Sequence, residues 1–418
     1  MPQPCECRGV QPGPTAGRSI ADYGEFTPAP HRERVRSVGA ELGGVRVLHV
    51  NSTASGGGVA ELLRSLVPLS NEAGCPTDWR VMEAEPAFFD VTKALHNGLQ
   101  GKDVTLDPEM RETYLRWTDR NAAALTEAYD VVVLHDPQSL AMIDPLADRY
   151  PETTFVWRCH IDPTDAAPGL LEFLGEYVGR VDRVVVSRPE YADAFGVDAT
   201  TIHPSIDPLS SKNRELTADE SAAAATDLGD VDLDAPLVAQ VSRFDPWKDP
   251  VGVVEAYRRV RDDHPEARLV LAGGMPDDDP EGEAVFERVA DAADGDPGVA
   301  LLTDLSDEAV NLLQRRADVV VQKSLREGFA LTVSEALWKR TPVVGAAVGG
   351  IPLQIEDGTN GYLVAPEDVP ATADRIGRLL AGPAHAEALG ERGRATVRER
   401  FLLPRHLLDW LELVADLR

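Results

Sequence analysis

Twice along its length the chain alternates short β-branched runs with longer stretches of helical periodicity, and this constrains its fold more than any other feature. Apolar runs of strand length separated by helices are the signature of parallel sheets covered on both faces. The first series begins near residue 45 and reads VRVLHVN, TDWRVME, DVVVLHD, TTFVWRCH and DRVVVS, with a helix predicted to start near Val59. The second reads PLVAQVSR, ARLVLAGG, VALLTD, DVVVQKS and TPVVGAA. The expected class is α/β, with two doubly wound halves in succession. Between them lies a polar, acidic, turn-rich segment from Thr201 to Pro236 with one short helix expected in it, and a domain break is predicted near residue 210. Residues 386–418 are helical by their period, with a break expected at Pro404. The expected organisation is a disordered tail over 1–20, a first domain over 21–210, a second over 211–385, and terminal helices over 386–418 that pack back toward the first.

A chain of 418 residues is long enough for two ordinary cores. Its 43% hydrophobic content includes no apolar run of bilayer-spanning length. With 70 acidic residues against 41 basic ones, the net charge of -29 would repel nucleic acid and anionic membranes, so neither is an expected partner. Lysine occurs at only six positions, 93, 102, 212, 248, 323 and 339. That bias, with acidic runs such as GDVDLDAP and MPDDDPEGE in predicted loops, fits a high-salt cytoplasm and fits an acidic, GC-biased proteome equally. Cys5, Cys7, Cys75 and Cys159 show no zinc spacing, and the Pro- and Gly-rich first twenty residues lack the apolar core of a secretory signal, so a reducing cytoplasm is expected.

In open α/β sheets, ligands bind beyond the carboxyl ends of the strands, where glycine-rich turns and helix N-termini point. Gly56, Gly57 and Gly58 leave the backbone bare where the first strand of HVNSTASGGGVAELL passes into its helix, although such turns are also a common structural device. In VSRFDPWKDP, Arg243 and Lys248 follow a predicted strand, where two cations can neutralise a departing diphosphate. Surface cations are the plain alternative, against which the scarcity of lysine counts. The run Glu327-Gly328-Phe329-Ala330-Leu331 follows DVVVQKS at a sheet edge, with amides at a helix N-terminus. Glu335 lies about two helical turns on, too far for the two carboxylates to share a proton. From periodicity alone it reads as an exposed helical glutamate.

SRFDPWKDP followed by REGFALTVSEAL resembles the donor site of retaining GT-B glycosyltransferases of family 4, with its Arg, Lys and E-x7-E signature. The resemblance implies two Rossmann-like domains facing across a cleft, with the C-terminal helix crossing back to the first. It implies that Arg243 and Lys248 bind the nucleotide diphosphate, that Glu335 holds the ribose hydroxyls, and that Glu327 with the amides of Gly328 to Leu331 holds the transferred sugar. The segments LHVNSTASGGGVAELLRSLVPL, FFDVTKALHNGLQG, VLHDPQ, WRCHID and PSIDPLSSKN are similar to the trehalose glycosyltransferring synthases of that family, from about residue 40 to the C-terminus. Pro163 and His203 are minor departures from the pattern. By this resemblance His160 contacts the transferred glucose, although a lone strand-end histidine is more often structural. His135, Asp136, Gln138, Arg158 and Asp162 would bind an acceptor glucose, since a buried sugar hydroxyl needs polar partners.

The implied reaction joins a nucleoside-diphosphate glucose (ADP-, UDP- or GDP-glucose) to free glucose, giving α,α-trehalose with retention. No further cofactor or metal is expected, and the partners are small-molecule sugars, with monomer and homodimer both open. Trehalose phosphorylase is the nearest alternative, followed by a sugar-binding protein without turnover and, more distantly, a GT-B epimerase.

Overall fold

The computed structural model describes residues 11–12, 17–55, 57–274 and 280–418, so Gly56 and the start of the MPDDDPEGE run lie outside the described residues. The chain divides into two compact units, Met1–Pro204 with Leu403–Arg418, and Ser205–Leu402.

The first unit is built on β1 (Gln11–Pro12), β2 (Val47–Asn51), β3 (Thr77–Val81), β4 (Val131–His135), β5 (Thr154–Arg158), β6 (Arg183–Val186) and β7 (Ala199–Thr201) in the order β1-β3-β2-β4-β5-β6-β7. All neighbours are parallel except β1, which pairs antiparallel with β3 at the edge. Every residue of β2 and β4 is buried, which is why their sequences are apolar almost throughout instead of alternating. The second unit carries β8 (Leu237–Val241), β9 (Arg268–Gly273), β10 (Val299–Thr303), β11 (Val319–Gln322), β12 (Val343–Ala346) and β13 (Tyr362–Val364), all parallel, in the order β10-β9-β8-β11-β12-β13. Val238, Val319, Val321 and Val344 are fully buried there, and each such valine stabilises its sheet by about 1.5–3 kcal/mol relative to exposure.

The strand order reverses once in each unit, between β2 and β4 and between β8 and β11. Helices leave the sheet in opposite directions on the two sides of a reversal, so a crevice opens at the carboxyl ends of those two strands. This places a candidate site at one defined spot in each unit.

Three predicted boundaries are corrected. The sequence predicts a disordered tail through residue 20, but Ile20 and Tyr23 are fully buried. Glu72 accepts hydrogen bonds from the Ser19 hydroxyl at 2.8 Å and the Ile20 amide at 3.0 Å. A break is expected at Pro404, but the helix Pro383–Arg400 ends earlier and Pro404 lies in the first turn of Leu403–Asp416, where the missing N–H costs nothing. Finally, only Leu403–Arg418 joins the first unit, packing on the helices Ala29–Glu41 and Gly58–Ala73. Pro383–Arg400 stays in the second unit because Gly390 lets it approach the helix Leu331–Trp338 so closely that a Cβ there would sit 1.9 Å from the Arg340 carbonyl oxygen. Among the described residues no helix is long and apolar enough to cross a membrane.

Candidate active site

At the β8/β11 reversal, Arg243 and Lys248 follow β8 and Glu327 follows β11. Asp245 accepts from the Trp247 amide at 2.9 Å and caps the tight turn Pro246–Lys248, while its other oxygen lies 3.4 Å from Arg243 Nη2. Gln240 donates to the Lys248 carbonyl at 2.8 Å, tying the turn to the strand. The consequence is a short ion pair: Lys248 Nζ lies 2.5 Å from Glu327 Oε2. The same oxygen accepts from Ser324 Oγ at 3.1 Å and Gln322 Nε2 at 3.4 Å. Both side chains are largely enclosed, so this pair is less screened by solvent than a surface pair.

Beside it, Lys323 is 1% exposed and pairs with Asp249, a residue at φ 46° that caps the helix Pro250–Val260. Ala330, at φ 69°, caps the helix Leu331–Trp338 from the left-handed region, a conformation that costs a non-glycine residue about 1–2 kcal/mol. Two features hold it there. The Gln354 amide donates to the carbonyls of Phe329 and Ala330, at 2.5 and 3.3 Å. Gly350 packs so closely that a Cβ would lie 2.7 Å from Phe329 Cα. The Phe329 ring is buried edge-on to Phe401, while Gly328, Ala330 and Leu331 remain partly open. Glu335 is not the exposed helical glutamate of the periodicity reading: it is 4% exposed and accepts from Gln314 Nε2 at 3.3 Å. Lys339, one turn on, donates to Asn213 Oδ1, Gln314 Oε1 and the Glu335 carbonyl. Lys248, Lys323 and Lys339 are three of the six lysines in the chain, so the scarcity that singled out Lys248 also marks two residues the motif did not.

At the β2/β4 reversal, Gly57 takes an extended conformation and caps the helix Gly58–Ala73 without a side-chain bond. His135 ends β4, and its ring bridges His49 Nδ1 at 2.9 Å and His160 Nε2 at 3.0 Å. Burial holds the His49 imidazole neutral down to about pH 3 and lowers His135 and His160 well below the usual range, with Arg158 and His406 adding to the lowering of both. Asp136, at φ 58°, accepts from the His160 amide at 2.7 Å. Burial pushes its carboxyl up to about 7 against the opposing effects of that hydrogen bond and the Arg158 charge.

Two predicted acceptor ligands are otherwise engaged. Arg158 is 0% exposed, bonded to Ser187 Oγ and the Ile202 carbonyl, with Nε and Nη1 unpartnered and its pKa lowered to about 10 by burial. An enclosed guanidinium offers no open face to a sugar. Asp162 Oδ1 accepts from both the amide and the hydroxyl of Thr164, closing its own turn. Gln138 Oε1 is enclosed without a donor. His49 and Gln354 were not singled out in the sequence: a histidine inside a buried strand reads as core, and Gln354 acts on Phe329 across 25 positions.

Residues 49–193 match the family described as trehalose synthase, N-terminal domain, and residues 229–396 match glycosyl transferases group 1. The trehalose synthase of Rubrobacter xylanophilus is 42% identical over 98% of both chains. The chain belongs to the trehalose synthase family. A trehalose phosphorylase of Pleurotus pulmonarius is 27% identical over 88% of this chain and 57% of its own length. Among solved structures, the UDP-forming α,α-trehalose-phosphate synthase of Burkholderia xenovorans, in complex with glucose-6-phosphate, superposes with a TM-score of 0.71 at 16% identity, covering 89% of this chain and 99% of that one. This trehalose synthase homologue is therefore a glycosyltransferase of GT-B fold, built from two Rossmann-like domains and acting in trehalose-related glycosyl transfer.

Proposed function

We propose that the protein is a retaining glucosyltransferase that makes α,α-trehalose from a nucleoside-diphosphate glucose and free glucose. The observation that carries this reading is the donor half at the β8/β11 reversal. There Lys248 and Glu327 meet at 2.5 Å, Arg243 lies just ahead of the same turn and 3.4 Å from Asp245, and a second carboxylate, Glu335, lies buried in the adjoining helix. In this reading Arg243 and Lys248 bind the diphosphate, Glu327 and the amides of Gly328 to Leu331 hold the glucose, and Glu335 binds the ribose. His160, Asp136 and Gln138 serve the glucose side, where the unpartnered Gln138 oxygen suits a sugar hydroxyl, while His135, whose two ring nitrogens meet His49 and His160, acts from behind them.

The bond from glucose C1 to the diphosphate oxygen breaks as the acceptor hydroxyl oxygen attacks from the same face. The hydroxyl proton passes to the departing diphosphate, so atoms and charge balance without a carboxylate nucleophile. Arg243 and Lys248 stabilise the charge that gathers on the leaving group.

The test is a donor panel of ADP-, UDP- and GDP-glucose, with α-glucose 1-phosphate as the donor of the phosphorylase alternative, and NMR of the product. The expected result is α,α-trehalose from a nucleotide donor, with free glucose preferred over glucose 6-phosphate. Among the acceptor candidates the single arginine, Arg158, is enclosed, so there is no fork of cations for a sugar phosphate. A β linkage, dependence on glucose 1-phosphate, or strong preference for the phosphosugar sinks the assignment.

The acidic surface leads to a second proposal, adaptation to a high-salt cytoplasm. At -29 net charge, the carboxylates repel one another across distances that dilute buffer screens poorly. The melting temperature and the activity are both expected to rise from dilute buffer to molar KCl. Full stability in dilute buffer would leave the GC-biased explanation standing.

A further inference from the structure

In the register of the first sheet, His49 is level with Val133 on β4, and His135 is level with Arg158 on β5. Residues two apart along a strand point to the same face. His135 therefore lies one strand across from His49 and two residues nearer the carboxyl edge, and His160 continues the step from Arg158. The rings complete the staircase. Their centroids are 5.2 and 5.3 Å apart, and the N···N contacts are 2.9 and 3.0 Å.

His49 is 3% and His135 2% exposed. The inner end is covered by Trp410, edge-on to His49 at 5.4 Å. The Trp410 N–H is engaged with His406 Nε2 at 2.9 Å, and His406 Nδ1 meets the His203 carbonyl at 2.8 Å. A ring nitrogen that meets a carbonyl must carry a proton, so His406 is the Nδ1–H tautomer and accepts from Trp410. Trp410 therefore presents ring and not a donor to His49. The charged groups around the staircase are Arg158 and, on the carboxylate side, Asp136, which holds the His160 amide.

A neutral imidazole has one proton for its two nitrogens, and each N···N contact needs exclusively one proton. If His49 is protonated on Nδ1, it donates to His135 Nε2, so His135 must carry its proton on Nδ1 and donate to His160 Nε2. His160 is then left with Nδ1–H. If the sense is reversed, all three carry Nε2–H and His160 Nδ1 is a bare acceptor. A mixed set leaves one contact with two protons or with none, and at these distances either is repulsive.

We propose that His49 and His135 are positioning residues that lock the tautomer of His160, so that all three rings carry the proton on the same-named nitrogen. Whether His160 Nδ1 donates to a hydroxyl or accepts from one is thereby tied to the tautomer of His49, two rings away. Use of that nitrogen by a bound sugar rests on the function proposed above; the lock itself does not.

The experiment is nitrogen-15 NMR of the full chain labelled on histidine, at neutral pH and without substrate. Wild type is expected to show His49, His135 and His160 neutral and in one common tautomer. His49→Phe keeps the ring's bulk and removes its nitrogens, so His160 is expected to spread over both tautomers. His49→Gln, whose amide can again partner His135, is expected to restore one. Activity should follow, with kcat for glucosyl transfer falling roughly 10- to 100-fold in His49→Phe, by analogy with the partners that orient metal-bound imidazoles, and recovering in His49→Gln. Different tautomers among the three wild-type rings, or His160 signals unchanged in His49→Phe, overturn the lock. Should His49→Phe fail to fold, the wild-type spectrum alone decides. A common tautomer in a protein that forms no trehalose would overturn the proposed function and leave the lock intact.

Discussion

Lys248→Ala is expected to lose about 10²- to 10³-fold in kcat at saturating donor, the range measured for removing a single donor aimed at developing charge. The effect belongs in kcat because the leaving diphosphate gains charge as the bond to glucose breaks. A cation beside it therefore interacts more strongly with the transition state than with the bound donor. The structure adds a second reason. Lys248 Nζ sits 2.5 Å from Glu327 Oε2, and Ser324 and Gln322, which also reach that oxygen, are neutral. The alanine variant leaves an enclosed carboxylate with its ammonium partner gone, so Glu327 is less well held where the reading needs it on the sugar. Donor-saturation curves on wild type and variant, with melting temperatures to confirm folding, give the answer. An unchanged kcat would remove Lys248 from the diphosphate.

Why the candidate donor residues could be picked out in the sequence while the residues that hold them could not follows from the range of the contacts. Arg243, Lys248, Glu327 and Glu335 belong to two short motifs whose spacing within each segment is local, and chain order alone places both after parallel strands. The residues that hold them act across long separations. Lys323 reaches Asp249 over 74 positions, and Lys339 reaches Asn213 over 126. A period of 3.6 shows which side of a helix is apolar, not what packs on the other side. That is why Glu335 read as exposed: its side chain meets Gln314 of the helix Asp307–Arg316, 21 positions away.

The fold followed the same rule. The central strands were legible because burial on both faces makes them continuously apolar, as in VVVLH. The strands missed, Gln11–Pro12, Ala199–Thr201 and Tyr362–Val364, are the short outer members of their sheets, with too few residues to form an apolar run. His135 and His160 were visible as strand-end residues, but the staircase they form with His49 depends on inter-strand register, which no single segment encodes.

Glu335→Ala is expected to raise the donor KM roughly 10- to 100-fold with a much smaller fall in kcat. In the proposed reading this carboxylate binds ribose hydroxyls, which are remote from the bond that breaks and carry no charge that changes during reaction. Its contribution is equal in the bound donor and in the transition state, and uniform binding appears in KM. A hydrogen bond to a charged group contributes about 1.5–3 kcal/mol, which converts to roughly that range in affinity. The burial of Glu335 at 4% exposure makes the comparison with Glu335→Gln necessary. Alanine also strips Gln314 Nε2 of its acceptor, at 3.3 Å in the intact protein, and loosens the same helix turn that Lys339 braces. Glutamine keeps the volume and an acceptor oxygen while removing the charge, so it should show an intermediate KM and a melting temperature near wild type. A purely structural glutamate would move the melting temperature and leave the donor KM alone. That outcome, or a kcat loss as large as in Lys248→Ala, would place Glu335 outside the ribose site.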